Sequence, residues 1–224
     1  MTNELAGKRV LWGVGTPRTM RPHWALHELS LSYEREAISS RGGEMKTERF
    51  SNLNPRQKIP VLQDGDFTIA ESAAIISYLA EVYGSQDVPL RPTGHRERAQ
   101  WLEWSFFICM ELDATALYVI RRHVGLPEVY GEAPAAVDSA ISYFVKQLGC
   151  VDQTLSDGRH YLMGDEFTTA DILLTTCLTW ALMRQVPVCD GCRMYLDRTT
   201  SRDAYRKALV ENEPKPEHSV APTK

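Results

Sequence analysis

The sequence predicts an α/β domain over residues 1–86, a connector at 87–92 and an all-α domain over 93–210. Short apolar or alternating runs of strand length occur only in the first part. The stretch Pro89-Leu90-Arg91-Pro92-Thr93-Gly94 then interrupts the pattern with two prolines and a glycine, and every later patterned segment is long and helical in period.

Arg9-Val10-Leu11-Trp12-Gly13-Val14 is a short apolar run with a glycine near its end, which reads as a buried strand. After a loop, Trp24, Ala25, Leu26 and Leu29 mark a helix that runs out near Ser30-Leu31-Ser32. Residues 33–38 alternate enough for a second strand. Residues 60–64 and 67–70 flank a tight turn at Asp64-Gly65-Asp66 and form a hairpin. Ala73, Ile75, Ile76, Leu79, Ala80 and Val82 then recur at helical spacing until Gly84 stops them. Beyond the connector, helices are expected at 97–122, 135–155, 169–185 and 203–209, with turns at Gly125-Leu126-Pro127, Asp157-Gly158 and Pro187. Residues 211–224 hold three prolines and few core formers and are expected to be a mobile tail outside the fold.

With 224 residues, 43% of them hydrophobic, the chain can bury a sizeable core. A net charge of −4 with mixed signs offers no basic face, which excludes nucleic acid as a partner. No run of 18 apolar residues occurs and the N-terminus lacks a charged lead into an apolar core, so no membrane association and a cytoplasmic location are expected. Five cysteines, an odd number, make no disulfide framework and are expected to be reduced and mostly buried. Cys189-Asp190-Gly191-Cys192 has redox or zinc spacing. Without a second pair or a nearby histidine it reads as a surface turn, and no metal site is expected.

The most informative motif is Asn54-Pro55-Arg56-Gln57-Lys58-Ile59-Pro60-Val61-Leu62, with Glu71-Ser72 nine residues further on at the head of an apolar helix. It offers a backbone edge held by a proline, a lysine, and a carboxylate beside a hydroxyl. Those groups suit a small zwitterionic peptide, whose backbone pairs with an exposed edge while its charged ends meet fixed side chains. Helix first turns carry unpaired amides and favour anions, although Glu71 or Ser72 could equally be a plain N-cap.

Over nearly the whole chain this order resembles the cytosolic glutathione S-transferase family. Residues 54–62 resemble its loop ending in a cis-proline, and Glu71-Ser72-Ala73-Ala74-Ile75 its γ-glutamyl-binding turn. Gly164-Asp165-Glu166-Phe167-Thr168-Thr169-Ala170-Asp171-Ile172 is similar to the capping box of its core helix, and residues 96–104 to the opening of its second domain. The resemblance implies a thioredoxin-like N-terminal domain, an all-α C-terminal domain, glutathione as cofactor, a small electrophile as co-substrate, and a homodimer. It implies that Ile59, freed by Pro60, pairs with the cysteinyl backbone, that Ser72 and Glu71 hold the γ-glutamyl end, and that Lys58 meets the glycyl carboxylate. The implied activity is conjugation of the glutathione thiolate to small electrophiles. The alternatives are a peroxidase, reductase, isomerase or dehalogenase using glutathione, or a non-enzymatic binding module on the same fold.

The loop Gly13-Val14-Gly15-Thr16-Pro17-Arg18-Thr19-Met20-Arg21-Pro22 departs from the family's commonest patterns, having neither tyrosine nor cysteine. Thr16 matches the position of serine or cysteine before proline in some classes, and Arg18 the cysteine position of the bacterial beta class. With Thr16 as N-cap, Pro22 would lie inside the following helix; with Thr19 as cap, Pro22 stays in the first turn. On that reasoning Thr19 is structural and Thr16 is the thiolate donor, with Thr19 and Arg18 as alternatives. Trp12 and Asp171 are read as structural. Trp104, Phe106, Phe107, Met110 and Tyr118 lie on the helix that, by resemblance, flanks the interdomain cleft, and packing or a dimer face competes for them.

Overall fold

The computed structural model describes residues 8–214, which divide into two compact units: residues 8–88 with 203–214, and Pro89–Arg202. The helical domain thus ends earlier than expected, because its last helix belongs to the first unit.

The first unit is built on a four-stranded sheet of order β2-β1-β3-β4. β1 (Arg9–Val14) runs parallel to β2 (Glu34–Ser39) and antiparallel to β3 (Val61–Asp64), which pairs with β4 (Phe67–Ala70). Its apolar residues face each other across the ladder: Leu11 opposes Leu62 and Trp12 opposes Val61. All four side chains are buried, and Trp12 and Val61 share a cluster with Phe50. The Trp12 indole donates to Gln63 Oε1 at 2.8 Å, so the buried ring keeps a polar partner.

Helix α1 (Pro17–Glu28) begins earlier than the apolar spacing suggests. Thr16, not Thr19, is its N-cap, and Pro22 does lie inside the helix. The reason is local. Pro17 occupies N1, where a missing N–H costs nothing, and Thr16 and Thr19 form a capping box that satisfies two first-turn donors. Burial of every residue from Thr19 to Leu26 then outweighs the hydrogen bond that Pro22 cannot make. A 3₁₀ turn (Glu44–Lys46) and α2 (Glu48–Leu53) follow β2; both are too short to show a period in the sequence. Helix α3 (Ser72–Tyr83) follows β4.

The second unit opens with α4 (His95–Phe107), a π segment (Ile108–Leu117) and α5 (Tyr118–Gly125), which occupy the span expected as one helix. The single turn α6 (Pro127–Tyr130) and the long α7 (Pro134–Leu155) come next. Helix α8 (Thr169–Met183) is buried at nearly every position, as its lack of a polar face requires. Helix α9 (Asp190–Thr200) was not expected, yet its buried residues Cys192, Tyr195, Leu196 and Thr199 have helical spacing. The Asp190-Gly191 pair suggested a turn, whereas these residues open a helix.

Helix α10 (Asp203–Glu211) packs on α1, where Tyr205 meets Trp24 edge-to-face at 4.9 Å. Residues 211–214 are correspondingly no tail: Arg35 donates to the Glu211 carbonyl at 2.6 Å, and Asn212 is hydrogen-bonded to the first loop. The rest of the expected tail, 215–224, lies outside the described residues. Among the described residues no helix is long and apolar enough to cross a membrane.

Asp171 anchors the second unit. Fully buried at N3 of α8, it accepts from the amides of Leu162 and Thr168 and from the hydroxyls of Thr168 and Tyr195 at 2.7–3.0 Å. Burial pushes its carboxyl upward while the four donors pull it back. Asp171→Ala leaves buried donors unpaired and is expected to cost about 3 kcal/mol or more, read as a lower urea midpoint, with Asp171→Asn losing less.

Candidate functional site

Three segments of the first unit meet where β1 ends. Gly13, the fifth residue of β1, has φ +111°, and a side chain there would put a Cβ 2.6 Å from that of Ile59. Only glycine permits both the backbone shape and the close approach. Its contact joins the first loop to the 54–60 loop, in which the Ile59–Pro60 peptide is cis. Arg56 in that loop reaches Glu71 at the start of α3, Nη1 to Oε1 at 3.3 Å. Arg21 on α1 donates to Ser72 Oγ at 3.1 Å.

The chemistry exposed there is specific. The Ile59 amide and carbonyl take no hydrogen bond from the described residues, so this backbone edge is open to a partner. Pro60 is buried behind it, and Asn54 braces the loop by donating to the Lys58 carbonyl at 2.8 Å. The Lys58 side chain is exposed. At α3, Glu71 stands as N-cap with φ +72° and makes no capping hydrogen bond, which leaves the first-turn amides available. Ser72 is buried at N1 beside the buried guanidinium of Arg21. The Arg56–Glu71 pair is exposed on both sides and therefore weak, so it yields readily to another cation.

In the first loop, Thr16 Oγ1 accepts from the Thr19 amide at 3.0 Å, and the Thr16 amide donates to Thr19 Oγ1 at 2.9 Å. Thr19 is fully buried and its hydroxyl lies 2.7 Å from Asn212 Oδ1. Asn212 also donates from Nδ2 to the Thr16 carbonyl at 3.2 Å, and its own carbonyl takes the Gly15 amide at 2.8 Å. Thr16 and Arg18 are half-buried. The sequence reading missed Arg21 and Asn212. Arg21 sits among apolar helical neighbours and Asn212 in a stretch resembling a tail, so neither carried a signal.

His23 fixes the same corner from behind. Its Nδ1 lies 2.8 Å from the Tyr33 hydroxyl and its Nε2 3.2 Å from the Gly13 carbonyl. Neutral imidazole satisfies both by donating from Nε2 and accepting at Nδ1. Burial, chiefly, lowers its pKa from 6.5 to about 4, against the hydrogen bond to Gly13 and with help from Arg35 and His27.

The aromatic helix expected to flank a cleft is divided. Trp104 and Phe107 line a cavity of about 490 Å³ with Leu162, Met163 and Arg159, all within the second unit. Phe106 and Met110 are 65% and 58% exposed. Tyr118 lies under Arg122, 4.8 Å from ring centroid to guanidinium.

Two family profiles match the chain: "Glutathione S-transferase, N-terminal domain" over residues 8–81 and "Glutathione S-transferase, C-terminal domain" over residues 134–208. The chain belongs to the glutathione S-transferase family. Among this transferase family's members, glutathione S-transferase F7 of Arabidopsis thaliana is 30% identical over 170 residues, covering 75% of this chain and 80% of its own. Glutathione S-transferase 1 of Schizosaccharomyces pombe is 30% identical over 174 residues, covering 75% and 71%. Among solved structures, the theta class glutathione S-transferase of Xanthomonas axonopodis pv. citri, with glutathione bound, superposes with TM-score 0.77 at 25% identity over 91% of this chain and 97% of that one. A glutathione transferase of Methylococcus capsulatus str. Bath gives TM-score 0.76 at 28% identity over 91% and 98%.

The native His23 stays neutral down to about pH 4, while the unfolded imidazole takes up a proton below its ordinary 6.5. The stability it contributes is whole above pH 6.5 and drains as pH falls toward 4. Between pH 7 and pH 5 the loss is expected to be about 2 kcal/mol, measured by urea unfolding at each pH. His23→Gln flattens the dependence to the smaller share of His27, whose pKa burial also lowers.

Proposed function

We propose that this protein conjugates glutathione, through its thiolate, to the electrophilic carbon of a small co-substrate. The observation that carries the reading is the patch in which Gly13 meets Ile59, Arg56 meets Glu71 and Arg21 meets Ser72. These contacts gather an open backbone edge, an uncapped helix N-terminus and a hydroxyl-bearing loop within one unit. An extended tripeptide uses all three. Its cysteinyl backbone pairs with Ile59 in front of Pro60. Its γ-glutamyl carboxylate takes Ser72 and the first-turn amides of α3, beside the positive charge of Arg21. Glu71 receives the ammonium, and Lys58 the glycyl carboxylate. Arg18, at N2 of α1, adds a further cation for the anionic ligand.

The sulfur then lies at the first loop, where a donor is needed because a free thiol is mostly protonated at neutral pH. Hydrogen-bond counting separates the two threonines. Thr19 is inaccessible, and its single proton is best spent on Asn212 Oδ1, its shortest contact. Thr16 Oγ1 accepts from the Thr19 amide and lies 3.0 Å from Thr19 Oγ1; with the Thr19 proton on Asn212, Thr16 donates across that contact, and a thiolate, as the stronger acceptor, draws this proton to itself. Thr16 is accordingly the donor and Thr19 and Asn212 position it. The α1 N-terminus adds its dipole to the stabilisation. Glutathione is consumed in this reaction, so it is a substrate rather than a cofactor.

A homodimer in the cytoplasm completes the reading. Leu102, Phe106 and Met110, spaced four residues apart, give the second unit an exposed apolar stripe of the kind a second copy covers.

Losing one donor to a charged sulfur costs about 1.5–3 kcal/mol, so Thr16→Ala is expected to lower kcat by roughly 10- to 100-fold and to raise the pH at which rate develops. Thr16→Ser keeps most of the rate, and both variants stay on immobilised glutathione. A panel of halogenated, epoxide, enone and hydroperoxide substrates is the assay. An unchanged pH–rate profile in Thr16→Ala refutes the assignment, and failure of the wild type to bind glutathione refutes the function. Ser72→Ala is expected to weaken glutathione binding while sparing the pH profile.

A further inference from the structure

The Cys189–Cys192 pair acquires in the fold what it lacks in sequence, a third ligand. Asp152, on α7, places its carboxylate so that one of its oxygens and the two Sγ atoms all lie within 4.8 Å of one another. We propose that these three side chains form a binding site for a zinc-class divalent cation, unrelated to the glutathione patch.

The placement follows from both helices. Cys189 is the N-cap of α9 and Cys192 is its N3 residue, so the first turn folds both thiols to the same side, one half-buried and the other buried. Gly191 between them lets α7 approach. A Cβ at this position would come 2.2 Å from Asp152 Oδ1, so a larger residue would push the carboxylate off the thiols. No hydrogen bond or ion pair engages Asp152 among the described residues. Of the neighbouring cations, Arg193 Nε donates to the Val188 carbonyl at 3.0 Å and Arg198 Nη1 to the His160 carbonyl at 2.7 Å, and neither forms an ion pair with Asp152 among the described residues. Two thiols and an otherwise unengaged carboxylate therefore converge.

The donor set selects the ion. Two thiolates exclude calcium and magnesium, which take oxygen ligands, and favour zinc or its softer analogues. With Zn–S near 2.3 Å and Zn–O near 2.1 Å, ligand atoms of a tetrahedral ion are roughly 3.5–3.8 Å apart, inside the observed spread. Three protein ligands leave a fourth position for water. An approach exists too, since Asp152 and Gly191 line a cavity of about 420 Å³ with Leu155, Met194 and Arg198. A dithiol switch at the same cysteines accounts less well for the cluster, since a disulfide has no use for Asp152, which converges with both thiols.

The test uses the full chain, reduced and stripped with a chelator, then dialysed against zinc and analysed for metal. One ion per chain is expected, and cobalt substitution should give thiolate-to-metal charge-transfer absorption. Cys189→Ser and Asp152→Asn should each weaken binding by about tenfold or more, whereas Cys150→Ser, an exposed cysteine on the same face-bearing helix α7, should leave it unchanged. The proposal is overturned if no ion is retained, if Cys189→Ser binds as the wild type does, or if anaerobically purified protein already holds Cys189 and Cys192 as a disulfide.

Discussion

The candidate site depends on one absence of atoms, the missing side chain of Gly13. Because nothing projects from its Cα, Ile59 can lie against the end of β1, and the open edge of the 54–60 loop comes to rest beside the first loop. The His23 ring holds the Gly13 carbonyl from within, so a buried neutral imidazole sets the direction in which the chain leaves the strand. Any alanine here would meet a Cβ at 2.6 Å and an unfavourable positive φ at once. Strand pairing, loop approach and helix start are thus coupled through a single residue.

The elements legible in the sequence were those whose burial has a period. β1, β3 and α3 were readable because their apolar residues alternate or recur on one face, and the Thr168–Asp171 capping box announces α8. α1 was misread at its start because proline chemistry in isolation favours Thr19 as cap; the observed cap at Thr16 needs the tertiary burial of residues 19–26 to hold Pro22 in the helix. α9 was missed for a related reason. Cys189-Asp190-Gly191-Cys192 reads as a turn in isolation, whereas the glycine admits the Asp152 carboxylate beside the first turn of a helix.

The site residues divide in the same way. The 54–62 and 71–72 motifs are local, so sequence could present them. Arg21 and Asn212 act through contacts made across 51 and about 195 residues of chain, and no local pattern encodes such a partnership. The third member of the cysteine cluster is hidden similarly, since Asp152 lies on a helix separated from the pair by the whole of α8.

The C-terminal segment gives this long-range contact a consequence for chemistry. A threonine hydroxyl can donate only one proton, and either member of the Thr16–Thr19 pair could be the donor across their 3.0 Å contact. Asn212 breaks that symmetry. By accepting the Thr19 proton while its amide nitrogen donates to the Thr16 carbonyl, it leaves Thr19 Oγ1 an acceptor toward Thr16, so Thr16 is the donor across the 3.0 Å contact and the hydroxyl whose proton can be redirected. α10 must then pack on α1 for the loop to be chemically asymmetric, as the Trp24–Tyr205 contact ensures. The last helix of the chain belongs with the first unit, since it packs on α1 and brings Asn212 to the first loop.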